Sequence, residues 1–546
     1  MTEYCIALDI GTSGLRSQII DMETKKTIAT SITARHPIPG MNVIDHVNFA
    51  ITSGEDVAGG LIISAVNSLF ASFGVDLSKV KTVAVCGNPF QLSLFQNIEI
   101  RDLAYAGKNM LESLGVVSPP RDGETVKASD LGIKGMPDAV VMIPPAVTHE
   151  IGADAIAMLL ITDVLDSKEP CLVVDYGTNA EMALVVNGNV YTGSAAAGPA
   201  LEGQQIEKGM LASPGAIADV NIKEGGWECT VLDGSMKGSQ GDTVNPLTGT
   251  VSKKGDMHGE AKGITGTGVV ASICCGIEAG LIMPPHIGSP DGSLHLQDGV
   301  NIYSRDIDEA GKAIGALRAG FLTLLLEAGI WTDDVKLAYM SGASGLYVDA
   351  KKALRIGMVV PGAERIVQFG NTSIELARKL AMGEVSIESL REFAKRLRAT
   401  HCMFATAQAF KDIYSIEYSL WSQGMPASEY NNMMDVYGLP HIPDPIPDPD
   451  VTRISATDLP DTEGVKIMML EDAGTILSGE IKGCIMCGIC MEECPENAIT
   501  IVAEDNRVFG KIMSDRCAGT ACRRCERSCP ESVLSITPFG MDGQLS

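Results

Sequence analysis

The sequence predicts a protein of two parts, an α/β body with an internal repeat and a small α+β module at the carboxyl end. Two observations carry this prediction. The strand–turn–strand segment that begins at Tyr4 recurs at Cys171 with the same Asp-x-Gly-Thr turn. Eight of the 15 cysteines lie after residue 483, in two runs of four.

Length and composition describe the body. At 546 residues the chain is too long for one core, and about 150 residues per domain predicts three or four domains. The net charge of −26 argues against a nucleic-acid partner, because binding to phosphates requires a basic surface. No apolar run approaches the ~20 residues that span a bilayer, and a signal-peptide pattern is missing at the start. We therefore expect a cytoplasmic protein without a membrane partner.

The cysteine runs have the spacing of iron–sulfur ligands. Three closely spaced cysteines of each run bind one cluster, and the fourth, which precedes a proline, reaches the other cluster. The spacing predicts two [4Fe–4S] clusters, one ligated by Cys484, Cys487, Cys490 and Cys529, the other by Cys517, Cys522, Cys525 and Cys494. Zinc is the alternative, because paired Cys-x2-Cys units also form tetrahedral sites. Two matched runs that each end in Cys-Pro favour clusters, so we expect electron transfer.

The repeated hairpins have the composition of phosphate-binding turns. The first contains Asp9, Gly11, Thr12 and Ser13, and the second contains Asp175, Gly177, Thr178 and Asn179. Glycine lets the backbone approach a phosphate, turn N–H groups and hydroxyls donate to its oxygens, and the aspartate can hold Mg²⁺ through water. One such hairpin would need no ligand to explain it. The repeat predicts a phosphate clamp, with one hairpin in each half.

Two further glycine-rich segments strengthen the nucleotide hypothesis. Gly266, Thr267 and Gly268 open an apolar helix, as in turns that face phosphate at a helix N-terminus. Gly342, Ala343, Ser344 and Gly345 follow an apolar strand, where a flat base could stack against bare backbone. Together with the hairpins, they predict a nucleotide-binding protein.

These elements resemble the acetate kinase/sugar kinase/Hsc70/actin superfamily. The resemblance implies a duplicated ribonuclease H-like ATPase, here joined to a ferredoxin-type domain. Further segments follow one another as in the ATP-dependent reductive activators of corrinoid proteins: Pro144-Pro145, Glu150-Ile-Gly-Ala-Asp154, Ala196-Ala-Gly-Pro199 and Phe369-Gly-Asn-Thr372. With its carboxyl-terminal cluster module, the chain is most similar to the activases that serve methylamine methyltransferases in methanogens.

The resemblance implies an activity and roles for individual residues. The activity is ATP-dependent reduction of Co(II) to Co(I) on a corrinoid protein, with ATP, Mg²⁺ and two [4Fe–4S] clusters as cofactors and a low-potential electron donor as second partner. Asp9 and Asp175 would place Mg²⁺, and Gly342 to Gly345 would line the adenosine site. Thr12, Ser13, Thr178 and Asn179 would hold phosphates. The residue that orients the attacking water stays open among Glu150, Asp154 and Glu181.

Two other functions remain open at this point. The chain could drive another low-potential enzyme, as the activators of 2-hydroxyacyl-CoA dehydratases do. Those activators usually hold one cluster between two subunits, whereas eight cysteines predict two internal clusters. The chain could also be a nucleotide-sensing ferredoxin adaptor without a corrinoid substrate. ATP turnover that depends on a corrinoid protein separates these functions.

The resemblance, the helical periodicity after Ile387 and the proline run imply the domain boundaries. We expect a first ATPase lobe at 1–168, a second at 169–385, a helical extension at 386–438, a proline-rich linker and connecting segment at 439–478, and the two-cluster domain at 479–546. Five prolines between residues 440 and 449 predict an extended, semi-rigid spacer. The apolar segment from Val465 to Leu470 is expected to add a strand to the ferredoxin module.

Overall fold

The computed structural model describes residues 3–40, 42–105, 107–177, 179–195, 199–203, 205–537 and 539–541. The chain divides into two compact units. The first contains Met1–Ala157, Ser373–Arg396 and Leu459–Ser546, and the second contains Met158–Thr372 and Leu397–Asp458. The cysteine-rich module therefore belongs to the same unit as the amino-terminal lobe. In the described ranges, every helix is too short or too polar to cross a bilayer.

A seven-stranded sheet forms the centre of the first unit. Its spatial order is Lys466–Leu470, Thr27–Thr33, Leu15–Asp21, Tyr4–Ile10, Val80–Gly87, Val140–Ile143 and Glu124–Lys127. Strand Tyr4–Ile10 is antiparallel to Leu15–Asp21 and parallel to Val80–Gly87. Its side chains from Cys5 to Leu8 are fully buried, as expected for a strand that is covered on both faces.

Helices cover this sheet. They are Val43–Ser53, Glu55–Ser72, Pro89–Phe95, Arg101–Ala104, Lys108–Ser113, Ala153–Ile161, Thr372–Ala381 and Ile387–Arg398. The last three cross the limits of the unit. Helix Pro89–Phe95 follows strand Val80–Gly87 directly. It begins at Asn88, whose side chain accepts a hydrogen bond from the N–H of Gln91. Proline at the next position needs no hydrogen-bond partner in the first turn.

The second unit contains a six-stranded and a five-stranded sheet. The larger has the order Asp450–Arg453, Arg365–Gln368, Leu337–Ser341, Cys171–Tyr176, Ala180–Val186 and Asn189–Ala195, and the smaller has the order Val251–Lys253, Gly238–Val244, Gly226–Leu232, Ala216–Lys223 and Gly263–Ile264. Its helices include Gly266–Glu278, Ser304–Glu327, Gly342–Tyr347, Ala350–Arg355, Gln408–Gln423 and Tyr430–Val436. Short strand pairs join Ile282–Met283 to His286–Ile287 and Ser293–His295 to Asn301–Tyr303.

The two large sheets have the same topology. In each, three antiparallel strands in sequence order are followed by two further strands that continue parallel to the first. Tyr4–Ile10 in the first sheet corresponds to Cys171–Tyr176 in the second. The sequence repeat is thus a repeat of the fold, as predicted.

The cysteine-rich module is a four-stranded sheet with three short helices. The strands have the order Ile499–Glu504, Arg507–Met513, Ile476–Glu480 and Gly540–Met541, and the helices are Ile489–Glu492, Gly519–Cys522 and Arg524–Arg527. Within the first unit, the N–H of Gly40 donates to the carbonyl oxygen of Cys517 at 2.9 Å. The Thr520 hydroxyl lies 3.1 Å from a carboxylate oxygen of Asp45.

The segment before the cysteines differs from our expectation in one way. The prediction that Val465 to Leu470 extends the ferredoxin sheet is wrong: Lys466–Leu470 pairs in parallel with Thr27–Thr33 at the edge of the first large sheet. An unpaired edge of that sheet decided this outcome. The proline-rich segment contains neither helix nor strand from residue 440 to residue 449. Within its own unit, the Ile446 N–H donates to the Pro361 carbonyl oxygen, and the Trp331 indole N–H donates to the His441 carbonyl oxygen.

A pair of stacked histidines lies buried in the first unit. The ring centroids of His36 and His46 are 4.2 Å apart, and the two residues are 4% and 0% exposed. Gln91 Nε2 lies 3.0 Å from His46 Nδ1. Burial lowers the pKa of His46 to about 3 and, together with the neighbouring His46, lowers the pKa of His36 well below its usual value.

This burial predicts sensitivity to acid. His46 stays neutral in the folded chain and takes up a proton on unfolding, so its contribution is present above pH 6.5 and is lost as the pH falls towards 3. Between pH 7 and pH 5, we expect wild type to lose about 2 kcal/mol more of its free energy of unfolding than His46→Leu. Anaerobic urea titrations of both proteins at the two pH values measure this difference. An equal loss in both would contradict the prediction.

Candidate functional site

The first hairpin turn presents small polar groups. Gly11, Thr12 and Ser13 are partly exposed, and the Gly11 N–H donates to the Gly14 carbonyl oxygen at 3.1 Å to close the turn. Because the turn is partly exposed, a ligand can reach its polar groups. The Asn88 side-chain amide lies 3.4 Å from the Thr12 hydroxyl.

A pair of carboxylates lies at the base of this hairpin. Asp9 is 4% exposed, and its Oδ2 is 3.4 Å from Arg16 Nη1. Burial raises the pKa of Asp154 to about 6, and the charge of Asp9 adds to the rise, whereas the backbone N–H of Ala155 opposes it. Glu150 lies in the preceding turn, 3.8 Å from His149 Nε2. Two neighbouring carboxylates, of which Asp9 is buried, are a suitable donor set for Mg²⁺.

The second hairpin has a similar turn but a different cross-strand partner. Asp175 lies directly opposite Glu181, which is 6% exposed, so two carboxylates share one face of the sheet. The Gly177 N–H donates to the Asn179 carbonyl oxygen at 3.2 Å. Thr178 lies outside the described residues. This hairpin therefore also offers oxygen ligands for a hard cation.

The predicted adenosine segment packs against the second hairpin. The Ser341 hydroxyl is 3.4 Å from Asp175 Oδ2, and Gly342 has φ +81° with no room for a side chain, since a Cβ would lie 2.4 Å from Asp175 Oδ1. Ala343 and Ser344 are partly exposed, whereas Gly345 is buried against Tyr176. The close approach of this segment to Asp175 explains the glycine at 342.

The helix that begins at Gly266 has a more local explanation for its sequence. Thr265 caps it, with its hydroxyl oxygen accepting from the Gly268 N–H at 3.1 Å. The Thr267 hydroxyl donates to the Ala218 carbonyl oxygen at 2.9 Å. A Cβ at Gly268 would lie 2.3 Å from the Ile217 carbonyl oxygen. Capping and packing account for these residues, and their role in phosphate binding stays a prediction.

The cysteines gather in two groups. One pocket is lined by Cys484, Cys487, Cys490 and Cys529, together with apolar side chains such as Ile481, Ile501 and Leu534. In the other group, burial raises the pKa of Cys517 to about 11, and the nearby thiols of Cys494 and Cys522 add to the rise. The thiol of Cys525 likewise lies near those of Cys517 and Cys494. The fourth cysteine of each run thus lies with the first three of the other run.

Backbone N–H groups point at several of these sulfurs. The Ala498 N–H lies 3.2 Å from Cys494 Sγ, and the Met486 N–H lies 3.4 Å from Cys484 Sγ. Although burial acts to raise the pKa of Cys529, backbone N–H groups from Glu531 to Leu534 lower it overall. All-cysteine sets with N–H donors to sulfur fit [4Fe–4S] clusters, whose potentials depend on such hydrogen bonds.

Asn88 is a residue that the sequence reasoning missed. It follows strand Val80–Gly87, caps the next helix and contacts the hydroxyl of Thr12. The sequence does contain a signal for this residue. Asn88 follows an apolar run and precedes a proline, and that pattern is typical of the start of a helix. What the sequence did not indicate is that this start lies beside the hairpin.

Comparison with family models matches most of the chain in three segments. Residues 4–167 match the RACo middle region, and residues 169–431 match the C-terminal domain of RACo, the ASKHA domain. Residues 483–536 match a 4Fe-4S dicluster domain. These matches confirm the predicted actin- and sugar kinase-like ATPase fold and the ferredoxin-type domain.

Individual relatives are corrinoid-related proteins. The reductase of the Co(II) methylated amine-specific corrinoid protein from Methanosarcina barkeri is 48% identical over 521 residues, which are 95% of this chain and 96% of the relative. The corrinoid activation enzyme RamQ from Eubacterium limosum is 24% identical over 367 residues, 65% of this chain and 60% of that relative.

A solved structure, the reductive activator for corrinoid, iron–sulfur protein, has the same fold at 23% identity, with a TM-score of 0.61 over 76% of this chain and 66% of that chain. The predicted resemblance is confirmed by the 48% identity to the Methanosarcina barkeri protein over nearly the full length of both chains. This chain belongs to the family of ATP-dependent reductive activators of corrinoid proteins.

Proposed function

We propose that this chain reduces the cobalt of a corrinoid protein from Co(II) to Co(I), with electrons that pass through two [4Fe–4S] clusters and with ATP hydrolysis as the driving reaction. The observation that carries the proposal is that an ASKHA ATPase fold and a dicluster domain occur on one chain, as they do along a relative that is a reductase of a Co(II) corrinoid protein. Electron transfer and nucleotide chemistry therefore reside in one molecule.

We assign the cluster ligands as the spacing predicts. The first set is Cys484, Cys487, Cys490 and Cys529, and the second is Cys517, Cys522, Cys525 and Cys494. When bound, the clusters accept and donate single electrons. Support comes from the pocket that the first set lines and from the electrostatic proximity of the second set. The cysteines supply thiolates, and apolar side chains such as Ile481, Ile501 and Leu534 line the pocket of the first set.

We assign Mg²⁺ and phosphate binding to the hairpins. Asp9 with Asp154 and Asp175 with Glu181 supply the carboxylate oxygens that Mg²⁺ prefers. Thr12, Ser13, Thr178 and Asn179 hold the phosphates, and Gly11 and Gly177 let the turn backbone come close to them. Gly342 to Gly345 line the adenosine. The support is that, within each unit, a partly exposed turn lies beside two carboxylates.

The partner is a corrinoid protein of a methyltransferase system, and the electrons come from a low-potential donor. Co(II) with an axial ligand is hard to reduce, and removal of that ligand raises its potential. A gap of about 200 mV corresponds to about 4.6 kcal/mol per electron, which ATP hydrolysis can supply. To remove the axial ligand, the activator must bind the distorted form of the corrinoid protein more tightly than the relaxed form. This difference in affinity must therefore depend on the bound nucleotide.

The direct test mixes the protein with Ti(III) citrate, MgATP and a Co(II) corrinoid protein under anaerobic conditions. We expect Co(I) absorbance to grow with ATP and to stay at the background level with a non-hydrolysable analogue. ATP turnover should rise when the corrinoid protein is added. Turnover that ignores the corrinoid protein, with no Co(I) formed, would instead favour the adaptor function.

The cluster assignment predicts the iron content. Anaerobically purified protein should contain about eight irons and eight sulfides per chain. Cys487→Ser should lower both towards about four and abolish Co(I) formation, because one ligand set is broken, while ATP binding persists. Cys402→Ser, which changes a cysteine outside both sets, is the matched control and should keep the full content. Stoichiometric zinc without acid-labile sulfide would exclude the clusters.

The hairpin assignment predicts that both aspartates are needed for ATP hydrolysis. We expect Asp9→Asn and Asp175→Asn each to lower the ATPase rate by roughly 100-fold, equivalent to about 2.7 kcal/mol, because each removes a charged oxygen from a cation site. Iron content should not change. Asp21→Asn, at the far end of the first hairpin, keeps the oxygen that accepts from Thr24 and should behave as wild type. Unchanged hydrolysis in either hairpin variant would mean that the repeat is structural.

A further inference from the structure

The buried group formed by His36, His46 and Gln91 is not explained by packing alone. Gln91 and His46 are fully buried, and His36 is 4% exposed. Among the described residues, His36 Nε2, His46 Nε2 and Gln91 Oε1 have no partner within strict hydrogen-bond geometry, although the Gln91 side chain lies near enough to His36, and the Gly40 backbone near enough to His46, to act on the pKa of each ring. Buried polar atoms with such weak partners cost stability. Their presence in this core points to a role other than stability.

One end of this group leads to the first phosphate hairpin. The backbone N–H of Gln91 donates to Asn88 Oδ1 at 2.9 Å, and the amide of the same Asn88 side chain donates to the Thr12 hydroxyl oxygen at 3.4 Å. The Thr12 hydroxyl hydrogen can then donate to a phosphate oxygen. A ligand at Thr12 thus acts on the side chain that holds the start of helix Pro89–Phe95, which carries Gln91.

The other end leads to the second cysteine set. Gly40 has φ +133°, and a Cβ there would lie 2.4 Å from Asp45 Cβ and 3.1 Å from the His46 ring. Its N–H donates to the Cys517 carbonyl oxygen at 2.9 Å. A Cβ on Gly519 would lie 3.1 Å from the backbone of Gly40. The Gly40 backbone thus lies close both to the His46 ring and to the Cys517 loop, so a displacement of the ring can be passed to the loop through Gly40.

We propose that His36, His46 and Gln91 are positioning residues that couple nucleotide occupancy at Thr12 to the loop around Cys517, so that the nucleotide changes the reduction potential of the cluster held by Cys517, Cys522, Cys525 and Cys494. The inference rests on the proposed function for both the nucleotide and the cluster. Hydrogen bonds and solvent exposure around the sulfurs set such a potential. Helix Pro89–Phe95 is the element that moves.

Nucleotide binding and reduction of the Cys517 cluster are thermodynamically linked if they are coupled. If the nucleotide changes the equilibrium constant for reduction of this cluster by some factor, reduction must change nucleotide affinity by the same factor. We expect about fivefold, at the lower end of the usual range for such coupling. Both sides of the relation can be measured without any corrinoid protein.

The experiment is an EPR-monitored redox titration of the full chain, with and without a non-hydrolysable MgATP analogue. One cluster should show the fivefold shift, and the dissociation constant of the analogue should differ by the same factor between oxidised and reduced protein. In Cys487→Ser, which retains only the Cys517 set, the shift should persist. If wild type binds both iron and nucleotide but shows no shift of a cluster potential, the coupling is wrong and the proposed function still stands. Wild type without clusters or without nucleotide binding would overturn the proposed function as well.

Two variants at one helix test the route. Gln91→Leu, within the helix, should abolish the coupling while iron content and analogue affinity in the oxidised state stay near wild type. Gln96→Leu makes the same change at the residue that follows the helix, where the side-chain amide donates to the Leu92 carbonyl oxygen, and should keep the fivefold factor. Equal coupling in both would overturn the proposal.

If Gln91→Leu loses iron, a second pair of variants at His46 tests the same coupling. His46→Leu removes the ring nitrogen that faces Gln91, whereas His46→Asn keeps an acceptor near the Nδ1 position. The coupling should vanish in the first and survive in the second. Survival in both would show that these residues only fill space.

Discussion

The backbone hydrogen bond from Gly40 to Cys517 joins the cysteine-rich module to the ATPase fold. A Cβ on Gly519 would lie only 3.1 Å from the backbone of Gly40, so the two backbones approach closely at this contact. Thr520 and Asp45 add a side-chain hydrogen bond beside it. As a result, the dicluster module is part of the first compact unit and is not a domain on a flexible tether. Any change at the first hairpin occurs in the same packed body that holds the second cysteine set.

The duplicated hairpins share a topology but differ in their charges. Asp9 lies across from Arg16, whereas Asp175 lies across from Glu181. In the first unit, Asp154 supplies the second carboxylate from the start of another helix, and its raised pKa reflects the cost of burial beside Asp9. Each half thus brings two carboxylates together by a different route. Like charges held this close are unfavourable unless a cation or a proton compensates them, which is why we assign Mg²⁺ to such pairs.

Much of the molecule could be predicted because its signals are local. Cysteine spacing, the Asp-x-Gly-Thr repeat and apolar strand patterns each specify structure within about 20 residues, and they gave the fold class that the comparisons confirm. Long-range pairing is different. Strand Lys466–Leu470 joins Thr27–Thr33 across more than 400 positions in the chain, and no local pattern distinguishes that edge from the ferredoxin edge.

The site shows the same limit. Asn88 and His46 are ordinary as residue types, and their interest comes only from what lies beside them. Conversely, the sequence predicts phosphate binding at Gly268, and the structure adds a packing reason for this glycine at the Ile217 carbonyl oxygen; the phosphate role stays a prediction. Glycine in a motif reports a close approach of backbone, but only the folded chain tells whether the approaching group is a ligand or another strand.

The central claim is that electrons reach cobalt from this chain's own clusters, and only when ATP is hydrolysed. A single-turnover experiment tests it most directly. Protein reduced beforehand and freed of excess reductant is mixed with a Co(II) corrinoid protein, with MgATP or its non-hydrolysable analogue, and samples are frozen for EPR. The account predicts that the signals of Co(II) and of reduced cluster disappear together, one electron for one cobalt, with ATP alone. Loss of the Co(II) signal with the analogue, or with the clusters still reduced, would contradict it.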